Sequence, residues 1–103
     1  MGEAAARVVS DDDVARVTVW SFRHGDETGK HRHDMVYVVV PLSGGAFQVI
    51  EPSGDRWELV QQRGVPYAGH VGATHNVVSL GSGLRSFMEV ELKPTSTDLV
   101  VPR

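Results

Sequence analysis

Short runs of β-branched residues recur along the chain, separated by Gly, Pro, Asp and Ser, and no stretch carries a convincing amphipathic helix. In "VARVTVW" (residues 14–20), Ala15, Val17 and Val19 alternate with Arg16 and Thr18, the period-two pattern of a half-buried strand. "HRHDMVYVVV" (residues 31–40) predicts one long strand closed by the turn "PLSGG". Its valine-rich second half predicts a strand covered on both faces and central in its sheet. "AFQVIE" (46–51) and "RWELVQ" (56–61) flank "PSGD", which is hairpin chemistry: Pro52 fixes φ and Gly54 supplies a positive one. "GVPYAG", "NVVSL" and "LRSFMEVELK" (84–93) continue the series, with "GSG" as a further tight turn. In that last run Glu89 and Glu91 alternate with Met88, Val90 and Leu92. With the apolar set toward the core, both glutamates are expected to face outward and pair with surface cations. Many short strands without helix predict an all-β sandwich or barrel, its core built by Phe22, Phe47, Trp57 and Phe87.

Composition narrows the partners. A chain of 103 residues fits one domain, residues 1–103, with a core at about 14–93, an N-terminal arm and a C-terminal tail "PTSTDLVVPR". The formal net charge is −3, and acids and bases are scattered. Neither nucleic acid nor an anionic membrane is therefore expected as a partner, because either wants a concentrated basic patch. The absence of cysteine excludes disulfides, thiolate catalysis and zinc–thiolate sites. "MGEAAARVVS" has no basic and apolar leader pattern, and no apolar run approaches the ~20 residues of a membrane helix, so a cytoplasmic protein is expected.

The chemistry-bearing signal is His31-Arg32-His33. Side chains two apart on a strand share a face, so both imidazoles can reach one ion, roughly 6.5–7 Å apart at the backbone, while Arg32 points away. A third nitrogen must come from elsewhere, and "GVPYAGHVGATHNVV" offers His70 and His75. His75 opens an apolar strand behind Gly72, where the chain is expected to bend. Tyr37 shares the parity of both histidines and is expected to line the site, as a residue supporting the histidines or as an acid or base. Asp34, Gln61, Glu89 and Glu91 are the polar residues that could complete the coordination sphere, although both glutamates are expected to face outward and Asp34 has the wrong parity without a bulge. Gln61 at a strand end is a candidate for the interior, and His24 and His70 read as loop histidines.

These residues resemble the motifs of the cupins, small β-barrels. The first cupin motif runs Gly, five residues, His-x-His, three or four residues, Glu, then six residues to a Gly; here Gly25, His31, His33 and Gly44 fall in register. The second runs Gly, five, Pro-x-Gly, two, His, three, Asn; Gly64, Gly72 and His75 match, with His70 at the proline position and Ser79 at the asparagine position. The resemblance spans about residues 20–92. "HRHDMVYVVVPL" is also similar to a group of single-domain bacterial cupins. The family glutamate falls at Tyr37, so the resemblance is to a three-histidine variant.

The resemblance implies a double-stranded β-helix (jelly-roll) barrel. It also implies one divalent ion (Fe, Ni, Zn or Cu) on His31, His33 and His75, and a substrate pocket for which Phe47, Gln61 and Phe87 are candidates. Three neutral imidazoles leave the ion's charge uncompensated, which favours a small, anionic, chelating substrate. Dioxygenase chemistry is the most concrete expectation; lyase or isomerase chemistry through an enolate, with Tyr37 shuttling a proton, is a further one. A non-catalytic module that binds or senses a small molecule is the alternative. Cupins commonly pair through outer strands, so a homodimer is expected, with the apolar "DLVV" (98–101) as a candidate contact.

Overall fold

The computed structural model describes residues 2–94, and the apolar stretch 98–101 considered for subunit pairing lies outside them. Among the described residues the chain forms β1 (Ala5–Asp11), β2 (Ala15–Phe22), β3 (His31–Arg32), β4 (Val36–Pro41), β5 (Gly45–Ile50), β6 (Arg56–Gln61), β7 (Tyr67–Gly69), β8 (Thr74–Ser79) and β9 (Arg85–Leu92), with no helix. The strands make two sheets, of order β1-β2-β9-β4-β7 and β3-β8-β5-β6, with antiparallel pairing between the strands. This is the all-β jelly-roll architecture expected. The β5–β6 hairpin turns at "PSGD", where Gly54 has φ 93°.

The core lies between the sheets. Phe22 on β2, Phe47 on β5 and Phe87 on β9 are essentially inaccessible, and their ring centroids stand 5.2, 5.3 and 5.6 Å apart in pairs. Aromatic rings at such separations add to the burial of their area. Trp57 does not join them. It is 47% exposed, and its indole N–H donates to Glu51 Oε2 at 2.7 Å.

Two further expectations are corrected. The long strand over 31–40 is broken: β3 and β4 belong to different sheets, and residues 33–35 carry the chain between them. The crossing is pinned to the turn before β8, where His33 N–H donates to the Ala73 carbonyl (2.8 Å) and Gly72 N–H to the His33 carbonyl (2.7 Å). Gly72 takes the positive φ of 90° that the turn requires. The valine-rich half does form an interior strand, since β4 lies between β9 and β7.

The second correction concerns β9. Its register sets Glu89 level with Val39 on one side and Thr18 on the other, and all three are buried. Glu89 and Glu91 therefore face inward, while Met88 and Val90 share the outer face with Val17, Val19, Val38 and Val40. That outer face is half-buried rather than polar, so alternation alone ran equally well in either orientation. Glu91 does find a cation on the same face: Arg16, its register partner and 40% exposed, donates from Nε to Oε1 at 2.9 Å.

Candidate metal centre

His31 and His75 are register partners across β3 and β8, which brings residues distant in sequence directly opposite one another. His33, at the start of the crossing, is only 4% exposed. Its Nε2 stands 3.0 Å from His31 Nε2 and 3.2 Å from His75 Nε2. The spacing read from the sequence thus brings the two neighbours together, and the antiparallel pairing supplies the third.

The protonation pattern suits ligation. His31 Nδ1 lies 2.9 Å from the Gly29 carbonyl, which only accepts, so the ring proton sits on Nδ1 and the Nε2 lone pair faces the other two rings. Thr28 Oγ1, 3.2 Å from the same Nδ1, is itself fixed by donation to the Gly29 carbonyl. Burial first, then His31 and His75, pushes the pKa of His33 down to about 4. Burial and then His31 push His75 down as well. At neutral pH, His33 and His75 are thus uncharged rings. A single proton on His33 Nε2 can satisfy one of its two close nitrogen contacts; a shared cation satisfies both. Two ligands at ~2.1 Å from one ion stand at most ~4.2 Å apart, so the observed separations fit a divalent metal.

Aromatic rings hold the cluster. Tyr37 stacks on His33 with centroids 3.7 Å apart and planes 17° from parallel, and Trp20 lies over His31 at 6.3 Å and 22°. The Tyr37 ring passes directly over Gly69, its register partner on β7, where any Cβ would overlap the phenol. Burial, then Glu89, then Tyr67 push the Tyr37 pKa up to about 12, so the phenol keeps its proton at neutral pH.

Beside the cluster opens a cavity of about 320 Å³, at the small end of the range of small-molecule sites. Val49, Leu59 and Phe87 supply apolar wall; His75, Gln61 and Glu89 supply polar groups. Gln61, buried at the end of β6, donates from Nε2 to Tyr67 Oη at 2.8 Å, and its Oε1 has no partner among the described residues. Glu89 Oε2 lies 4.0 Å from His33 Nε2. Burial, then Glu91, raise the Glu89 pKa to about 7 against the opposing indole N–H of Trp20.

Of the other residues singled out in the sequence, Phe47 stands in the core against Phe22 and Phe87 and is not part of the cavity wall. Trp57 and His70 border the cavity from exposed positions. His24 bonds the Gly81 carbonyl at 3.0 Å, and Asp34 is exposed and paired with the outward Arg32 at 3.5 Å. The residues not foreseen are Trp20, Tyr67 and Gly69, and the inward orientation of Glu89 was not foreseen either. Only the pairing of β9 with β4 and β2 reveals the last of these.

No family model matches the chain. Over 91 residues it is 38% identical to the β-alanine degradation protein BauB of Pseudomonas aeruginosa, covering 88% of this chain and 95% of that protein. It superposes on the crystal structure of a cupin domain from Bordetella pertussis with a TM-score of 0.86 and 38% identity, over 89% of this chain and 95% of that one. A double-stranded β-helix protein from Klebsiella pneumoniae shares the fold at a TM-score of 0.72 and 22% identity, over 91% and 79% of the two chains.

Proposed function

The chain belongs to the cupin superfamily, and on that premise we propose that it is a small metal-binding cupin acting as a metal-dependent dioxygenase on a small chelating anion. The observation that carries the reading is His33 Nε2, held 3.0 and 3.2 Å from two further imidazole nitrogens in a buried setting. His31, His33 and His75 would hold one divalent ion. When bound, that ion supplies Lewis-acid polarisation of a chelating carbonyl or enolate, and iron(II) adds redox chemistry with dioxygen.

The remaining roles belong to the chain. Val49, Leu59 and Phe87 exclude water and shape the apolar side of the cavity. Gln61 Oε1 offers a hydrogen-bond acceptor to a ligand N–H or O–H. Tyr37, protonated and stacked on His33, holds that ring in place and keeps a hydroxyl at the cavity wall. The relative's name supports a small carboxylate-bearing compound as the substrate class, since β-alanine is itself one.

The test is metal analysis of the purified protein, followed by anaerobic loading with iron(II) and measurement of oxygen uptake with small β-dicarbonyl and carboxylate compounds. One metal per chain and substrate-dependent oxygen uptake, both lost in His31→Ala and His75→Ala, are expected. Stoichiometric metal with saturable ligand binding and no turnover would replace the enzyme by a binding module. Metal content unaffected by either substitution would remove the site altogether.

A further inference from the structure

Two glutamates project from β9 into the barrel, and they are not equivalent. Glu91 has its cation, Arg16, at 2.9 Å. The Glu89 side chain is 12% exposed, and among the described residues no Lys or Arg forms an ion pair with it. A carboxylate withdrawn from water is costly unless a positive group or hydrogen-bond donors compensate it. The charged or chargeable partner in reach is His33, whose Nε2 lies 4.0 Å from Glu89 Oε2, and that nitrogen is the one the other two histidines share.

We propose that Glu89 is a fourth ligand of the ion held by His31, His33 and His75, entering from β9 in place of the carboxylate absent at position 37. The inference rests on the three-histidine reading. Three features support it. The 4.0 Å to His33 Nε2 falls within the ~4.2 Å that two ligands of one ion can span. Glu89 stands outside the three-histidine group whose ligand atoms lie within 4.8 Å of one another, so its carboxylate must turn toward His31 and His75 to complete the shell. Tyr37 occupies the strand position from which the family's first motif would send its glutamate, and its ring is committed to His33 and Gly69. Glu89 pairs in register with Val39, two residues along β4 on the same inward face, so the neighbouring strand delivers a carboxylate beside the vacated position. The chemical consequence is a change in charge. An ion on three imidazoles carries two positive charges; with Glu89 the site carries one, and a bidentate monoanion such as a 2-oxo or 3-oxo monocarboxylate neutralises it.

The experiment is titration of wild type, Glu89→Gln and His75→Ala with cobalt(II), followed by calorimetry and the visible d–d spectrum. Loss of a carboxylate ligand is expected to weaken cobalt binding at least tenfold and to alter band position and intensity. Weaker binding with an unchanged spectrum would make Glu89 a mere electrostatic neighbour, and unchanged binding would remove it from the site; either overturns the proposal. The two readings separate cleanly. If wild type takes up no cobalt, the three-histidine site fails and Glu89 with it. If wild type binds, His75→Ala does not, and Glu89→Gln matches wild type, only the fourth ligand fails. Should the glutamine variant not fold, the side-chain carboxyl carbon-13 resonance of Glu89 in wild type is followed during zinc(II) addition. A saturable shift at one equivalent supports ligation, and a stationary resonance overturns it.

Discussion

Along the inward face of β9, Phe87 gives way to Glu89 and then Glu91, and the barrel interior changes character with them. At the Phe87 end, three phenylalanines from both sheets pack edge to face or tilted. At the other end the same two sheets bury a glutamine and a glutamate around a cavity, and the crossing between them buries His33 beside it. Burying each Phe contributes about 1.5–3 kcal/mol, whereas burying a charge costs unless it is compensated. The polar end follows that rule: burial pushes His33 and Glu89 each toward its uncharged form. One end holds the fold together so that the other can keep groups the fold alone would not favour.

The sharpest break in this division is Phe47→Ala. Removing a fully buried ring should lower unfolding stability by about 3–5 kcal/mol in urea denaturation, while metal bound per folded molecule stays at the wild-type value. Loss of metal at unchanged stability would mean that the two ends are not separable. Gly69→Ala is next. Its methyl group overlaps the Tyr37 phenol, so the ring must move and His33 with it. Overpacking of this kind costs about 1–3 kcal/mol, and metal affinity should fall alongside stability. An unaltered affinity would show that the stacked ring does not position His33.

The most gradual effect is a slope in pH, read on metal-free protein. His33 has a folded pKa of about 4, below its ordinary 6.5, so its contribution is lost as pH falls from 6.5 toward 4, and His75 acts in the same direction. Glu89 has a folded pKa of about 7, above its ordinary 4.5, so its contribution is present below pH 4.5 and lost as pH rises through 7. The two oppose one another between these limits. Glu89→Gln removes the opposing part and should steepen the rise of stability with pH by up to one proton, ~1.4 kcal/mol per pH unit, between about pH 4.5 and 7. Denaturation of chelator-treated protein across this range checks it, and parallel curves for both proteins would show that Glu89 does not titrate there.

Much of this interior was legible in the residues themselves. The alternation of His31 and His33 and the turn chemistry at "PSGD" are local signals that the fold keeps local, and the second-motif position of His75 marks a residue that strand pairing brings to them from far along the chain. Glu89 was not legible, because alternation distinguishes two faces of a strand without saying which is inside. Here the apolar set Met88 and Val90 joins an outer face of valines, and the glutamates turn inward beside Arg16 and the histidines. The break after Arg32 was hidden for a related reason. A run of β-branched residues reads as one strand, whereas the switch of sheets depends on contacts with Gly72 and Ala73 some forty residues away. Trp57 failed through composition: a large aromatic reads as core, yet its N–H is satisfied at the surface by Glu51.

The crossing at residues 33–35 has a mechanical side. His31 and His75 travel with the four-stranded layer, Glu89 with the five-stranded layer, and His33 rides on the span that joins them. Any breathing of one layer against the other therefore alters the spacing of these groups together with that of the phenylalanine rings, since Phe47 lies on one layer and Phe22 and Phe87 on the other. With an ion held there, occupancy of the cluster would gauge how tightly the sandwich is shut.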